Sequence, residues 1–378
     1  MTQGGFELTT EVLRGPAGLE ALRAPWTALC GELAVRRYFH SWEWYDCWLH
    51  ALAERPAEVC FVALRRGVRL LAVVPLEPRA RRGSLGALRV LELPAHGHLP
   101  LADVVCHPEI DVRTLLGAVT AALRSAGIAW DVLQFENVMD ESVLARCEPG
   151  VLPRVRRELV KTCDYIACDR PWEEYAATLS ANFRSNLNKA RNKLARESDV
   201  QFEIAHTPEA IEAMLPDVLQ IEASGWKGAA GTAIVNDPRL MDFYGRQVAA
   251  FAPGGGVMLS RLRVGGRTIA AEYCLVDNAT LYLIKLAYDE GVAKLAPGNS
   301  LLERMFRSIH EQFGLRYINL VGSPPWFAHW NPERIPVWRI QLGGSGLRAR
   351  AQWVARRARS LLGRVLRRRA AAAAAPRS

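Results

Sequence analysis

One pattern restricts the fold more than any other. Leu64-Arg65-x-Gly67-x-Arg69-x-x-Ala72 returns as Leu262-Arg263-x-Gly265-x-Arg267-x-x-Ala270, 198 residues further along the chain. Each copy lies between two apolar stretches of strand character and reads as a hairpin. Downstream, Leu115-Leu116 and a helix closing at Gly127-Ile128-Ala129-Trp130-Asp131-Val132-Leu133 match Leu301-Leu302 and a helix closing at Gly314-Leu315-Arg316-Tyr317-Ile318-Asn319-Leu320, within one residue. The chain reads as a tandem duplication of one α/β unit. Its 378 residues are enough for two domains with cores of their own.

The copies differ where chemistry would sit. In the second, Leu281, Leu283, Lys285 and Ala287 alternate with Tyr282, Ile284, Leu286 and Tyr288 as a strand does. Leu301, Leu302, Met305, Phe306, Ile309 and Phe313 then repeat at helical spacing. Pro297-Gly298-Asn299-Ser300 lies between, with Asn299 or Ser300 suited to N-cap the helix. Unpaired amides there would form an anion cradle, or the segment is a plain helix cap. The first copy has His107-Pro108-Glu109-Ile110-Asp111 at this point, with no glycine and two carboxylates. Only the second copy is expected to hold an anionic cofactor, the first forming one wall of an acceptor cleft.

Lys285-Leu286-Ala287-Tyr288-Asp289-Glu290, followed by Ala296-Pro297-Gly298 and Leu301-Leu302, resembles the K-x-x-Y-D … S-P-G-x-x-L-L signature of the CelD-type acetyltransferases. That family is a branch of the GNAT superfamily associated with cellulose biosynthesis. The resemblance runs from about Phe39 to Leu342 and includes Phe39-x-Ser41-x-x-Trp44 and Glu222-x-Ser224-x-Trp226-Lys227-Gly228. It implies an α/β fold: two GNAT-like mixed, mostly antiparallel sheets flanked by helices. The expected divisions are an N-terminal domain without a cofactor loop over 1–165, a catalytic domain over 166–345, and a basic amphipathic helix with a disordered end over 346–378.

The same resemblance implies acetyl-CoA or another acyl-CoA as co-substrate, its pyrophosphate on the amides of Pro297, Gly298, Asn299 and Ser300. Lys285, Tyr288 and Asp289 would shape the adjoining site, Tyr288 as a proton donor to the leaving thiolate and Asp289 on the acceptor side. Trp226 and Lys227 become acceptor-side residues, their alternative being a helix C-cap. Arg184, in the basic segment 180–196, either joins an anion-binding rim or lies on a solvated helix face whose buried side is Phe183, Leu187, Ala190 and Leu194.

Glu272 lies in a mostly apolar strand, where an unpaired carboxylate is costly, and reads as a general base with a raised pKa or as a residue of a wet sheet face. Gly322-Ser323-Pro324-Pro325-Trp326-Phe327-Ala328-His329-Trp330 replaces the family's G-x-x-x-Y-K-x-x-W. Trp330 is kept on the acceptor side, the lysine is missing, and Asn319 stands where Asp is common. His329 is a substitute acid/base group or a structural histidine.

Eight scattered cysteines without metal-ligand spacing point to reduced thiols and no metal site. No signal peptide or membrane span is evident in the sequence, so a cytoplasmic protein is expected. Ten arginines and no acidic residue fall in 346–378, and they account for the net charge of +9, leaving the body near neutral. Leu347, Ala351, Val354, Ala358, Leu361 and Val365 form one stripe of a basic helix over 347–369, with Trp353 as an interfacial anchor. It reads as a peripheral contact with an anionic membrane surface on the inner face of the cell membrane, in preference to nucleic acid. The functional expectation is an N- or O-acyltransferase acting on an amine or hydroxyl of an envelope polysaccharide or its precursor. The rivals are a FemAB-like transferase with an aminoacyl-tRNA donor and a non-catalytic, membrane-tethered scaffold.

Overall fold

The computed structural model describes residues 7–83, 85–224, 231 and 233–355. Its first unit runs β1 (Leu8–Arg14), α1 (Gly15–Ala21), α2 (Arg23–Glu32), α3 (Trp42–Ala51), β2 (Cys60–Arg66), β3 (Arg69–Gly83), β4 (Gly86–Glu92), β5 (Val105–Cys106), α4 (Val112–Ser125), β6 (Val132–Met139) and β7 (Val155–Ala167). Two helices, α5 (Trp172–Thr178) and α6 (Ala181–Leu194), lead into the second unit. That unit is β8 (Val200–Ala205), α7 (Pro208–Ser224), α8 (Pro238–Phe251), β9 (Val257–Val264), β10 (Arg267–Asp277), β11 (Thr280–Tyr288), α9 (Pro297–Glu311), β12 (Tyr317–Asn319) and β13 (Glu333–Gly343).

The strands form one 13-stranded sheet in the order β1-β2-β3-β4-β6-β13-β7-β12-β11-β10-β9-β8, with β5 attached to β3. Read inward from either edge, the order of the two units is the same. Among the described strand pairs only β4–β6 and β11–β12 are parallel. At the centre the units exchange their last strands, since β13 lies between β6 and β7 while β7 also pairs with β12. A pseudo-two-fold axis therefore passes between β13 and β7. The division expected at 165/166 falls inside β7.

The repeated motif makes the two hairpins, β2–β3 and β9–β10. Gly67 (φ 59°), Gly265 (57°) and Gly266 (73°) take the left-handed conformations these turns need. Ser41 caps α3 by accepting the Trp44 N–H, and Ser180 caps α6 by accepting that of Phe183. The inward face of α6 is Phe183, Leu187, Ala190 and Leu194, as the spacing predicts. In β11 the expected alternation is interrupted: Leu283 faces Cys274 and Lys285 faces Tyr273, leaving Ile284 as a bulge.

Helices α1–α3 of the first unit and α7–α8 of the second share one layer over one face of the sheet, with Trp44 against Phe243 at 5.5 Å. The other face carries α4 over the first unit and α5, α6 and α9 over the second. Three of the shared-layer helices bury large aromatic rings: Trp26 in α2, Trp44 and Trp48 in α3, and Phe243 and Tyr244 in α8. Trp44 and Phe243 meet edge to face across the two units, a favourable aromatic geometry.

Residues 347–355 begin the basic helix, with Leu347 and Val354 exposed. Trp353, expected at a membrane interface, instead packs on Gly343, where a Cβ would approach its ring to 2.9 Å. Gln352 is buried and accepts the Leu85 N–H at 3.0 Å. The rest of the apolar stripe, from Ala358 on, lies outside the described residues. All eight cysteines are free thiols, six of them buried. Among the described residues no helix is long and apolar enough to cross a membrane.

Candidate functional site

The site begins with a strand pairing that stops early. Parallel pairing of β11 with β12 covers only Thr280–Tyr282 against Tyr317–Asn319, yet β11 runs on to Tyr288. Among the described residues no strand pairs with the inner edge of β11 beyond Tyr282, so a wedge opens between β11 and residues 320–323. The first unit starts the same wedge at β4 and β6 and then fills it with its own chain. There the Leu93 N–H donates to Gln134 O, the Ala102 N–H to Asn137 O, and the Asn137 side chain to Leu99 O, with Leu99 and Leu101 buried.

At the far end of β11, Asp289 caps a short 3-10 turn by accepting the Gly291 N–H at 2.8 Å, and its second oxygen pairs with Arg267. These bonds engage both oxygens of Asp289 in holding the turn rather than an acceptor. Ala296 then takes a left-handed conformation (φ 50°) and is the residue preceding α9, so neither Asn299 nor Ser300 is the N-cap. Pro297 has no amide hydrogen, and the Ser300 N–H is bonded to Ala296 O at 2.9 Å. The cradle thus narrows from four residues to two: the amides of Gly298 and Asn299, which precede the first intrahelical acceptors. Among the described residues no side chain caps this 15-residue helix, so its dipole and the N–H groups of Gly298 and Asn299 act at one point.

Gly298 lets the helix start sit close against Tyr288. A Cβ there would lie 3.1 Å from Cδ1 of Tyr288, whose ring rests on the helix start while 42% of the residue stays exposed. Tyr288 is thus a wall beside the cradle. Ala270 stands opposite Tyr288 and Glu272 opposite Leu286, so Glu272 and Tyr288 are diagonal neighbours on the face toward α9.

Glu272 has no exposed surface, and burial raises its pKa to about 7. It accepts the Ser260 hydroxyl at 2.9 Å, and its other oxygen has no partner among the described residues. The reading of a raised carboxyl fits, while that of a wet sheet face does not. Lys285 is half-buried on the opposite face.

Other expected site residues are held elsewhere. Arg184 donates to Ala177 O and Leu179 O, closing the end of α5. Trp330 is fully buried between Phe183 and Phe306, at 5.0 and 4.9 Å, and has no surface for an acceptor. His329 is exposed and stacks on Phe183 at 5.4 Å, which favours its structural reading. Trp226 and Lys227 lie outside the described residues.

The structure also brings in groups that sequence reasoning missed. Val321, at the wedge mouth, has φ 48°, a strained conformation for a β-branched residue. Asn319 holds it there: its oxygen accepts the Val321 N–H at 2.8 Å and its nitrogen donates to the Tyr165 hydroxyl at 2.7 Å. An aspartate could not make that second donation. Lys161, from the exchanged strand β7, donates to Pro100 O at 2.6 Å and to Val321 O at 3.4 Å. Burial lowers its pKa. The only sequence signal was a lysine inside a strand otherwise leading into Cys163-Asp164-Tyr165-Ile166.

Residues 181–328 match the family model of the acetyltransferase (GNAT) domain. Over this stretch the chain is similar to a GNAT acyltransferase domain. That match spans β11, the wedge and α9, and it makes the protein an enzyme of the acyltransferase class. No curated protein matches the chain. Among solved structures, FemX is similar over 88% of this chain and 97% of its own, with 9% identity and a TM-score of 0.53. A conserved protein of unknown function from Bacteroides thetaiotaomicron VPI-5482 is similar over 86% and 97%, with 13% identity and a TM-score of 0.50. A tandem GNAT protein from the clavulanic acid biosynthesis pathway aligns over 89% and 100%, with 14% identity and a TM-score of 0.48. At such identities the likeness is one of fold.

Proposed function

We propose that the second unit transfers an acyl group, most simply acetyl, from CoA to an amine or hydroxyl of an envelope polysaccharide or its precursor, as in the CelD-type branch. The observation that carries this reading is the open wedge ending at the free amides of Gly298 and Asn299. A pyrophosphate at those amides would leave the pantetheine arm to run down the wedge along Ile284–Lys285 toward Val321. The thioester then lies well away from Tyr288, so the proton for the leaving thiolate comes from elsewhere, and Lys161 holds its ammonium 3.4 Å from Val321 O. Positioning of the two reactants accounts for most of the rate, with proton transfer contributing about a hundredfold to ten-thousandfold. Glu272, sealed under α9, can act as base only through a buried proton path.

In this reading residues 1–165 are the acceptor platform and 166–345 the catalytic unit, with the exchanged strand β7 carrying Lys161 between them. The basic helix from 346 holds the protein peripherally on the cytoplasmic face of the membrane, its exposed Leu347 and Val354 continuing a stripe toward the lipid.

The test is calorimetric titration of acetyl-CoA into the full-length protein, with Gly298→Glu as control. Micromolar binding lost in the variant supports the acyl-CoA reading. Absence of binding by acetyl-CoA and longer acyl-CoA favours the second reading, a FemAB-like transferase with an aminoacyl-tRNA donor, which the whole-chain fold likeness to FemX motivates. A further test of the membrane contact is flotation with anionic vesicles, which should retain the full chain.

A further inference from the structure

Beside the filled wedge of the first unit a cavity remains, lined by residues of both units. At the end of β6 equivalent to the wedge mouth of β12, a cavity of about 790 Å³ opens on the face of the shared helical layer. Met139 ends β6 at its floor, and Tyr165 and Tyr317 form an aromatic wall, edge to face at 6.4 Å with Tyr317 41% exposed. One side of it is the loop between α2 and α3, from Leu33 to His40. The volume is that of a small-molecule site.

The lining charges balance. Arg37 donates to Glu141 at 2.6 Å and to the Tyr282 hydroxyl at 3.1 Å. His40 accepts the Arg37 backbone N–H on Nδ1, so the proton on Nε2 faces Asp103 at 3.4 Å. Asp103 in turn accepts from Ser142 at 2.6 Å. Arg146 and Arg316 stand at the rim with Glu333, giving three guanidiniums and three carboxylates in all. A phosphate-bearing ligand would find no net attraction here, and the adjoining helix start offers none either, because Asp111 already caps α4. Fixed donor–acceptor pairs beside an exposed tyrosine face instead suit a ligand with many hydroxyls and apolar C–H faces.

We infer that this cavity is a binding site for a neutral glycan segment. It lies across the same shared face as Lys161, linked to the wedge by the Tyr165–Asn319 hydrogen bond. A chain held here would lead its acceptor group toward the wedge. This inference rests on the glycan reading of the acceptor but not on the acyl-CoA reading of the donor.

The experiment titrates the full-length protein with neutral β-1,4- and β-1,3-glucan oligosaccharides, with UDP-glucose as the anionic comparison and acetyl-CoA in a separate cell. The expected result is saturable binding of a neutral oligosaccharide, weakened about tenfold by Tyr317→Ala, with melting temperature and acetyl-CoA affinity unchanged. Glu141→Gln, which keeps the shape and removes one charge, should weaken it severalfold. No oligosaccharide binding at millimolar concentration overturns the inference. So does equal affinity in both variants, or tighter binding of UDP-glucose that is lost in Tyr317→Ala. Oligosaccharide binding without acetyl-CoA binding keeps the glycan site and removes the acyl-CoA donor.

Discussion

The starts of the two helices that connect the parallel strand pairs, α4 and α9, show how one duplicated unit came to serve two purposes. In the first, Asp111 accepts the Thr114 N–H at 2.8 Å, filling one of the orphan amides and adding a negative charge. In the second, Ala296 provides no cap, and Gly298 and Asn299 keep their N–H groups free. A side-chain cap is worth about 1 kcal/mol, so α9 forgoes stability that α4 keeps. The same contrast holds in the wedges, one filled by residues 93–102 and the other open beside Val321. Stability and ligand access compete for the same backbone groups, and each unit has resolved that competition differently.

The strongest way to break the comparison is to make α9 resemble α4 in charge. Gly298→Glu should reduce acyl transfer to background, because the new side chain collides with Tyr288 and opposes the pyrophosphate. Gly298→Ala, with only the 3.1 Å contact to relieve, should retain measurable activity. Steady-state turnover on both variants separates charge from shape. If Gly298→Glu retained full turnover, the helix start would not be the anion site.

Lys161→Met comes next. It removes the ammonium that bridges Pro100 of the first unit and Val321 of the second. A loss of about a hundredfold is expected, seen in kcat with little change in acetyl-CoA affinity. A merely structural lysine would instead lower the melting temperature and leave kcat alone.

Glu272 gives a test on stability and pH. Burial raises its pKa from 4.5 to about 7, so the folded state holds a proton that the unfolded chain releases between those values. The group's stabilising contribution is complete below the unfolded value and is lost as pH rises through about 7. Glu272→Gln should therefore match the wild type in acid and exceed it by about 3 kcal/mol at pH 8, read by denaturant unfolding at the two pH values. Retained activity in the same variant would remove Glu272 as the base.

Local patterns in the sequence identified what local physics decides. The repeated hairpin needed only its glycine turns and apolar flanks, and the buried face of α6 needed only spacings of three and four. The Ser41 cap of α3 is equally local, since capping reaches three residues. The exchange of β7 and β13 was not, since it depends on pairing between strands far apart in sequence. Lys161 was missed for the same reason: its partners are 61 and 160 residues away. The start of α9 was misread because serine and asparagine are usual caps, whereas here a left-handed alanine followed by proline sets the first turn. Trp330 kept the family spacing yet lies in the core, so the retained position reported packing rather than contact with an acceptor.

The smallest predicted effect sharpens the comparison from the other side. Asp111→Ala frees the Thr114 amide and removes the nearby charge, making α4 more like α9. Thermal unfolding should show a loss of about 1 kcal/mol. Acetyl-CoA stoichiometry should remain one per chain, because the wedge of the first unit is still occupied by Leu99 and Leu101 and its helix start still lacks glycine. A second bound acetyl-CoA would mean that the cap alone had silenced the first unit. Unchanged stoichiometry would assign that silence to the filled wedge, leaving the adjacent cavity free to take a different ligand.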